Sequence, residues 1–380
     1  MPLIQGPLDI GFHESLISEQ GIQNPPYNFF RNDMLDFDRE EAKWWTGGSY
    51  NTSYGTSIIM NRREGEGDPD WDASTYDMVL VNETKDFIER HLEESANRPF
   101  FAYIGFGAVH VPHAPPVEYI DGSKVEGRYM TDHLDMLGLM DKAVGSLMEI
   151  IENLEQDTIF IFASDNGGLV FSDETGAGHR ASGPLRGEKN RIYDGGHRVP
   201  LLISQPGTLP QGERRDQVVG INDLYATICE LVGVNKPPPP SAVDSISFAD
   251  YIKSGDRSDA QRESLGTFIL PGKKGFWQLR NGKLELIHSW QHALRKGKWK
   301  LIHFPLNSTM ELYDMENDIG EAHNKLNGQT TQETREMAVQ MCKELREIGP
   351  CPMEGTRTEF KTRCEMRGFS YNAANYCAIS

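Results

Sequence analysis

Hydrophobic and polar positions change rhythm several times along the 380-residue chain. Residues 1–76 hold no sustained period; aromatics, Asn, Gly and acids mix irregularly (NPPYNFFRND, WWTGGSYNTSYGTS), which predicts loops and short elements lining a cleft. Helical and strand rhythms then alternate. VNETKDFIERHLEES (81–95) carries Phe87, Ile88 and Leu92 at one-face spacing. DMLGLMDKAVGSLMEIIENL (135–154) is a longer stripe built on Met136, Met140, Ala143, Val144, Leu147, Ile151 and Leu154. PFFAYIGFGA (99–108) reads as a buried strand and VPLLIS (199–204) as another, while DTIFIFASDNGG (157–168) is a continuous apolar run of the kind shown by a strand buried on both faces. INDLYATICELVGV (221–234) predicts a further helix. Strands alternating with helices predict an α/β fold whose largely parallel sheet is sandwiched by helices.

KPPPPS (236–241) interrupts this pattern, because consecutive prolines permit neither helix nor interior strand. Beyond it, Asn281-Gly282 sits between apolar runs, a hairpin signal. LRNGKLELIH (279–288) and LRKGKWKLIH (294–303) match at 7 of 10 positions, as expected of two hairpins of a small antiparallel sheet. A helix (TQETREMAVQMCKELREI) and a Cys-bearing tail follow. The expected division is an α/β domain over 1–235, a small C-terminal antiparallel-sheet subdomain over 236–340, and a tail over 341–380.

Composition narrows the function. With 38 Lys and Arg against 56 Asp and Glu, the net charge is −18, and that field opposes nucleic acids and anionic membranes. An anionic substrate would need a local cluster of cations. No apolar run is long enough for a membrane span, and the first residues do not read as a signal peptide. Cys229 lies alone in an apolar segment, whereas Cys342, Cys351, Cys364 and Cys377 crowd the end of the chain, as disulfide-forming thiols of a secreted protein do.

Functional groups of an open α/β sheet gather at the carboxyl ends of strands, and three segments fall there. Gly107-Ala108-Val109-His110-Val111-Pro112-His113 offers two imidazoles. Ser164-Asp165-Asn166-Gly167-Gly168 offers a carboxylate beside an amide carbonyl, oxygen ligands suited to a hard cation. Gly183-Pro184-Leu185-Arg186-Gly187-Glu188-Lys189 runs on into Tyr193-Asp194-Gly195-Gly196-His197-Arg198-Val199-Pro200. It supplies an ammonium able to point between oxyanion oxygens, and glycines that let backbone approach closely. Asp194 and Arg198 read as an ion pair bracing the turn.

Taken in this order and spacing, HxPH, SDNGG, GPLRGxK and YDGGHRVP resemble the latter half of the sulfatase family, of the arylsulfatase type. ALRKGKWKLI…ELYDMEND is similar to that family's small terminal sheet, and the likeness covers residues 6–325. The resemblance implies an alkaline-phosphatase-like fold and a Ca²⁺-assisted sulfuric ester hydrolase acting on a sulfated small molecule or carbohydrate. It implies Asp165 and Asn166 as Ca²⁺ ligands, Lys189 as the residue holding sulfate oxygens, and His110 as the general acid near the leaving oxygen. His113 is implied, less directly, as positioning substrate. Asn166 argues against the phosphodiester and phosphonate hydrolases of the superfamily, which usually carry His there.

The same resemblance implies a formylglycine nucleophile made by a formylglycine-generating enzyme from a C-x-P-S-R motif. None of the five cysteines (CELVG, CKELR, CPMEG, CEMRG, CAIS) fits it. Ser182-Gly183-Pro184-Leu185-Arg186 meets a loose S-x-P-x-R pattern but lies inside the GPLRGxK region, a coincidence. The family's early Asp-Asp ligands and its Gly-Lys-Trp-His motif also have no counterpart. The expectation is a chain lacking its front end, inactive by itself, whose full-length form is secreted or lumenal. The alternative is a non-catalytic binder of sulfated glycans.

Overall fold

The computed structural model describes residues 5–46, 48–49, 61–154, 157–234, 242–255, 262–269, 276–280, 283–287, 291–304, 309–328 and 330–348. The chain falls into two compact units, Met1–Gln156 and Asp157–Ser380. The proline-rich boundary expected near 236 and the tail cysteines Cys351, Cys364 and Cys377 lie outside the described residues.

The first unit opens with short antiparallel pieces, as its irregular sequence predicts. β1 (Leu16–Ile17), β2 (Phe30–Arg31) and β3 (Met34–Leu35) form one small sheet. β4 (Lys43–Trp45) pairs with β7 (Gly65–Gly67), and β5 (Gly48–Ser49) with β6 (Asn61–Arg62). Two long helices follow, α1 (Tyr76–Ser95) and α2 (Asp132–Glu152). Thr131 caps α2 by accepting the Leu134 amide at 3.2 Å. Leu80 of α1 and Met136 of α2 meet Ile22, Tyr27, Trp71 and Tyr76 in one core.

The run at 99–108 departs from expectation. Among the described residues it forms no strand ladder. It is held by side chains instead: Phe100 packs against Phe87 and His91 of α1, at 5.9 and 5.5 Å between ring centroids. Ile104 and Phe106 reach the core. The outward residues Phe101 and Tyr103 are 61% and 79% exposed. The apolar run marked burial here, but only one face of the segment is buried.

In the second unit, β8 (Phe160–Ala163) pairs with β9 (Leu201–Ser204), with Ile161 opposite Ile203. These strands run antiparallel, unlike the largely parallel order expected. Their connection is a folded loop cluster carrying one short helix, α3 (Ser172–Gly176), rather than a crossover helix. Helices α4 (Leu224–Leu231) and α5 (Ala249–Ser254) follow.

The C-terminal region matches the expected antiparallel sheet plus helix. β10 (Ser264–Ile269), β13 (Gln291–Lys296), β14 (Trp299–Phe304) and β15 (Thr309–Asp314) form a four-stranded antiparallel sheet, while β11 (Phe276–Arg280) and β12 (Lys283–Ile287) pair separately. The repeated decapeptides are thus both hairpins, in different sheets. One face of the larger sheet (Leu294, Leu301, Leu312) packs on Ala338, Met341, Cys342 and Leu345 of α6 (Gln332–Ile348). The other face (Ala293, Ile302, Tyr313) packs on Ile192 and Tyr193 of the loop cluster. Cys342 is disulfide-bonded and Cys229 is a free thiol. Among the described residues no helix is long and apolar enough to cross a membrane.

Candidate functional site

The three candidate motifs divide between the units. In the second unit, β8 ends in Ser164–Gly168, and two later segments close over that turn by backbone hydrogen bonds. The Gly167 amide donates to the Gly196 carbonyl at 3.0 Å, the Lys189 amide to Gly168 at 3.0 Å, and the Gly195 amide to Arg186 at 2.7 Å. Glu188 accepts the Val170 amide at 3.0 Å. The glycines of these motifs make this approach feasible. A Cβ on Gly167 would overlap the Gly195 carbonyl, and one on Gly195 would lie 2.7 Å from the Arg186 oxygen. The segments bearing Asp165, Asn166 and Lys189 are therefore brought together by backbone packing that side chains at these positions would forbid.

Around this weave the side chains take separate parts. Asp165 is exposed, and Asn166 and Lys189 are half-buried. The Asn166 amide nitrogen donates to the Gly167 carbonyl at 3.3 Å. Arg186 stacks on Tyr193, 3.7 Å from the ring centroid, and donates to Tyr313 at 3.1 Å and the Glu321 carbonyl at 2.9 Å. Arg198 lies 3.4 Å from Asp194, the bracing pair expected. Among the described residues, neither Lys189 nor Arg180 has a carboxylate partner. Ser182 donates its hydroxyl to the Gly187 carbonyl at 3.2 Å, consistent with a structural role.

Beneath the loop lies a group that sequence reading did not single out. Lys300 of β14, 1% exposed, sets its ammonium 2.6 Å from Asp194, 2.7 Å from Glu321 and 3.0 Å from the Ile192 carbonyl. Glu321 also accepts the Asp194 amide at 2.7 Å. Burial works to raise the Asp194 carboxyl, but Lys300 with His197 and Arg198 outweighs it and holds the group below the usual range. Burial, with Asp194 adding to it, raises the Glu321 carboxyl despite Lys300. Burial and Lys300 push the His197 imidazole down to about 4. Period-two alternation along LRKGKWKLIH puts Lys300 on the same strand face as Ile302.

The histidines belong to the first unit. Asp77 of α1, 3% exposed, accepts the Gly107 and Ala108 amides at 2.6 and 3.0 Å and so anchors the start of their loop. Burial raises its carboxyl, against those two bonds. His110 is exposed, and its Nδ1 lies 2.7 Å from the Val111 carbonyl. A carbonyl only accepts, so Nδ1 carries the hydrogen and Nε2 is left to exchange a proton. His113 is 3% exposed, with its ring 4.8 Å from that of His133. Burial foremost, then His133, pushes it down to about 3.

Asp165 and Asn166 offer hard oxygen donors, the right chemistry for Ca²⁺. The ion takes about six to eight such oxygens, and no group of three His, Cys, Asp or Glu among the described residues is arranged to hold a metal. By itself this pair is an incomplete donor set.

The fold aligns with solved sulfatases. A structure from Bacteroides thetaiotaomicron, determined in connection with its metabolism of multiple glycosaminoglycans, matches with a TM-score of 0.68 and 21% identity, over 91% of this chain and 74% of that one. The PsFucS1 sulfatase from Pseudoalteromonas sp. matches with a TM-score of 0.53 and 20% identity, over 72% and 52%. Such likeness defines an alkaline-phosphatase-like α/β protein. The sulfatase family model matches residues 11–234, and that for the C-terminal part of N-sulphoglucosamine sulphohydrolase matches 187–349. The chain belongs to the sulfatase family. It is 30% identical to a sulfatase of Formosa agariphila over 269 residues, 66% of this chain and 46% of that protein. It is likewise 30% identical to the N-acetylgalactosamine-6-sulfatase of Canis lupus familiaris over 183 residues, 48% and 33%. The matched part spans less than half the length of these relatives.

Proposed function

We propose that this chain serves a sulfuric ester hydrolase acting on sulfated carbohydrates, and that its residues hold the sulfate and protonate the leaving group. Lys189 neutralises charge on the sulfate oxygens. The general-acid role of His110, through Nε2, rests on the family resemblance alone. His113, buried beneath the same loop, positions substrate by fixing that loop. Asp165 and Asn166 would be two of the ligands holding Ca²⁺. In this family a formylglycine hydrate supplies the nucleophile and Ca²⁺ offsets sulfate charge; none of this chain's cysteines sits in the motif from which that aldehyde is made. The 380 residues alone therefore bind sulfate without turning over its esters. A secreted or lumenal setting accords with the disulfide at Cys342.

The observation that supports this reading most is the bond from the Lys189 amide to Gly168. It ties a cation without a carboxylate partner among the described residues to the Asp165-Asn166 turn. Sulfate titration by calorimetry tests it. Wild-type chain should bind inorganic sulfate, and Lys189→Ala should weaken binding at least about tenfold, the loss of one charge-assisted contact. Equal affinity, or turnover of a chromogenic aryl sulfate by the chain as given, would refute the assignment. The incomplete metal donor set and the missing nucleophile motif favour a second reading, a non-catalytic binder of sulfated glycans. Retention of a sulfated oligosaccharide without hydrolysis by the longest natural form would select it.

A further inference from the structure

We propose that Lys300, on the C-terminal sheet, is a positioning residue for the sulfate-holding loops. The proposal rests on the functional reading of Lys189, Asp165 and Asn166 given above. The path is short and continuous. The Lys300 ammonium is fixed by Asp194, Glu321 and the Ile192 carbonyl. Asp194 begins the 3₁₀ turn Asp194–Gly196. Gly195 in that turn donates to Arg186, three residues before Lys189, and Gly196 accepts from Gly167, the residue after Asn166. One buried ammonium thereby sets the height of a turn from which both walls of the candidate site are hung. Among the described residues no other cation bridges these two carboxylates: Arg198 reaches Asp194 only at 3.4 Å and from a half-exposed side chain. Ile302, on the same face of β14, packs with Ile192 and adds apolar contact, but apolar contact has no direction. The ion pairs supply the registration.

The test compares Lys300→Met with Lys298→Met, a control that removes the same charge from a 43%-exposed side chain two residues away. The readouts are hydrogen exchange and inorganic sulfate affinity. Lys300→Met should speed exchange of segments 164–170 and 186–198 while β15 and α6 keep wild-type protection. It should also weaken sulfate binding about tenfold, the scale typical of groups that orient a primary ligand. Lys298→Met should change neither. Unchanged exchange in the two loop segments, or an equal rise throughout 157–348, overturns the positioning role. Should Lys300→Met not fold, Asp194→Asn, which keeps an acceptor but removes the charge, is read by the same criteria. Absence of sulfate binding by wild-type chain overturns the functional reading alone, and exchange still decides whether Lys300 holds the loops.

Discussion

Gly167→Ala and Gly168→Ala are adjacent, chemically identical changes for which the fold demands opposite outcomes. At Gly167 the added methyl would overlap the Gly195 carbonyl oxygen and lie 2.9 Å from its carbon and 3.1 Å from the Gly196 carbonyl carbon. All three atoms are backbone, so no rotamer change relieves the clash. Overpacking of this kind costs about 1–3 kcal/mol. Separating the segments also weakens the 3.0 Å bond from the Gly167 amide to Gly196, worth about 1 kcal/mol. The total, about 2–4 kcal/mol, is a large share of the roughly 5–15 kcal/mol that holds a domain folded. At Gly168 the nearest atom is the Ala181 methyl at 3.6 Å, an ordinary contact. Gly168 is also not among the glycines at positive φ. There Ala restricts the unfolded chain and stabilises by up to about 1 kcal/mol. Urea unfolding followed by circular dichroism measures both. Variants within about 0.5 kcal/mol of each other would refute the claim that motif glycines exist for backbone approach.

Two further outcomes follow from the buried charges. His292 is 2% exposed and pushed down to about 4, mainly by burial and then by His303; unfolded histidine takes its proton near 6.5. Between those values the unfolded chain binds the extra proton, so stability falls as pH drops from about 6.5 towards 4. His113, pushed down to about 3, acts in the same direction. Urea midpoints across pH 4–7 should show this loss, and His292→Phe should make the acid limb shallower by about 1.4 kcal/mol per pH unit; an unchanged limb counts against the assignment. Asp77→Ala leaves the Gly107 and Ala108 amides without their acceptor, which should cost about 1–3 kcal/mol and speed exchange at 107–113. Equal protection there would show the loop is held by other means.

The helices were the most legible part, because a stripe such as Met136, Ala143 and Leu147 has one physical solution. The terminal sheet was legible too, through hairpin chemistry that acts over a few residues. Pairing in the first unit was not. Apolar content in PFFAYIGFGA reports that side chains leave water, not which strand lies alongside, and here α1 takes one face and no ladder forms among the described residues. The site was half legible. Glycines at 167, 187, 195 and 196 announced close backbone approach, yet their mutual contacts span up to 29 residues of sequence and no local rule pairs them. Lys300 was hidden for another reason: a lysine in a strand is usually solvated, and only the facing carboxylates reveal it as buried.

The net charge of −18 makes the loop cluster informative. Residues 179–198 carry five Lys and Arg against two acids, so this stretch opposes the sign of the whole molecule. Most of that charge is committed: Arg191 to Glu188 at 3.9 Å, Arg198 to Asp194, and Arg186 to tyrosines and a carbonyl. If Asp194 were left unpaired beneath the loop, its carboxylate would cancel part of the field that an oxyanion needs. Lys300 offsets that carboxylate from below while also meeting the buried Glu321. Its ammonium therefore registers the turn and offsets the Asp194 charge, while Lys189 has no carboxylate partner among the described residues.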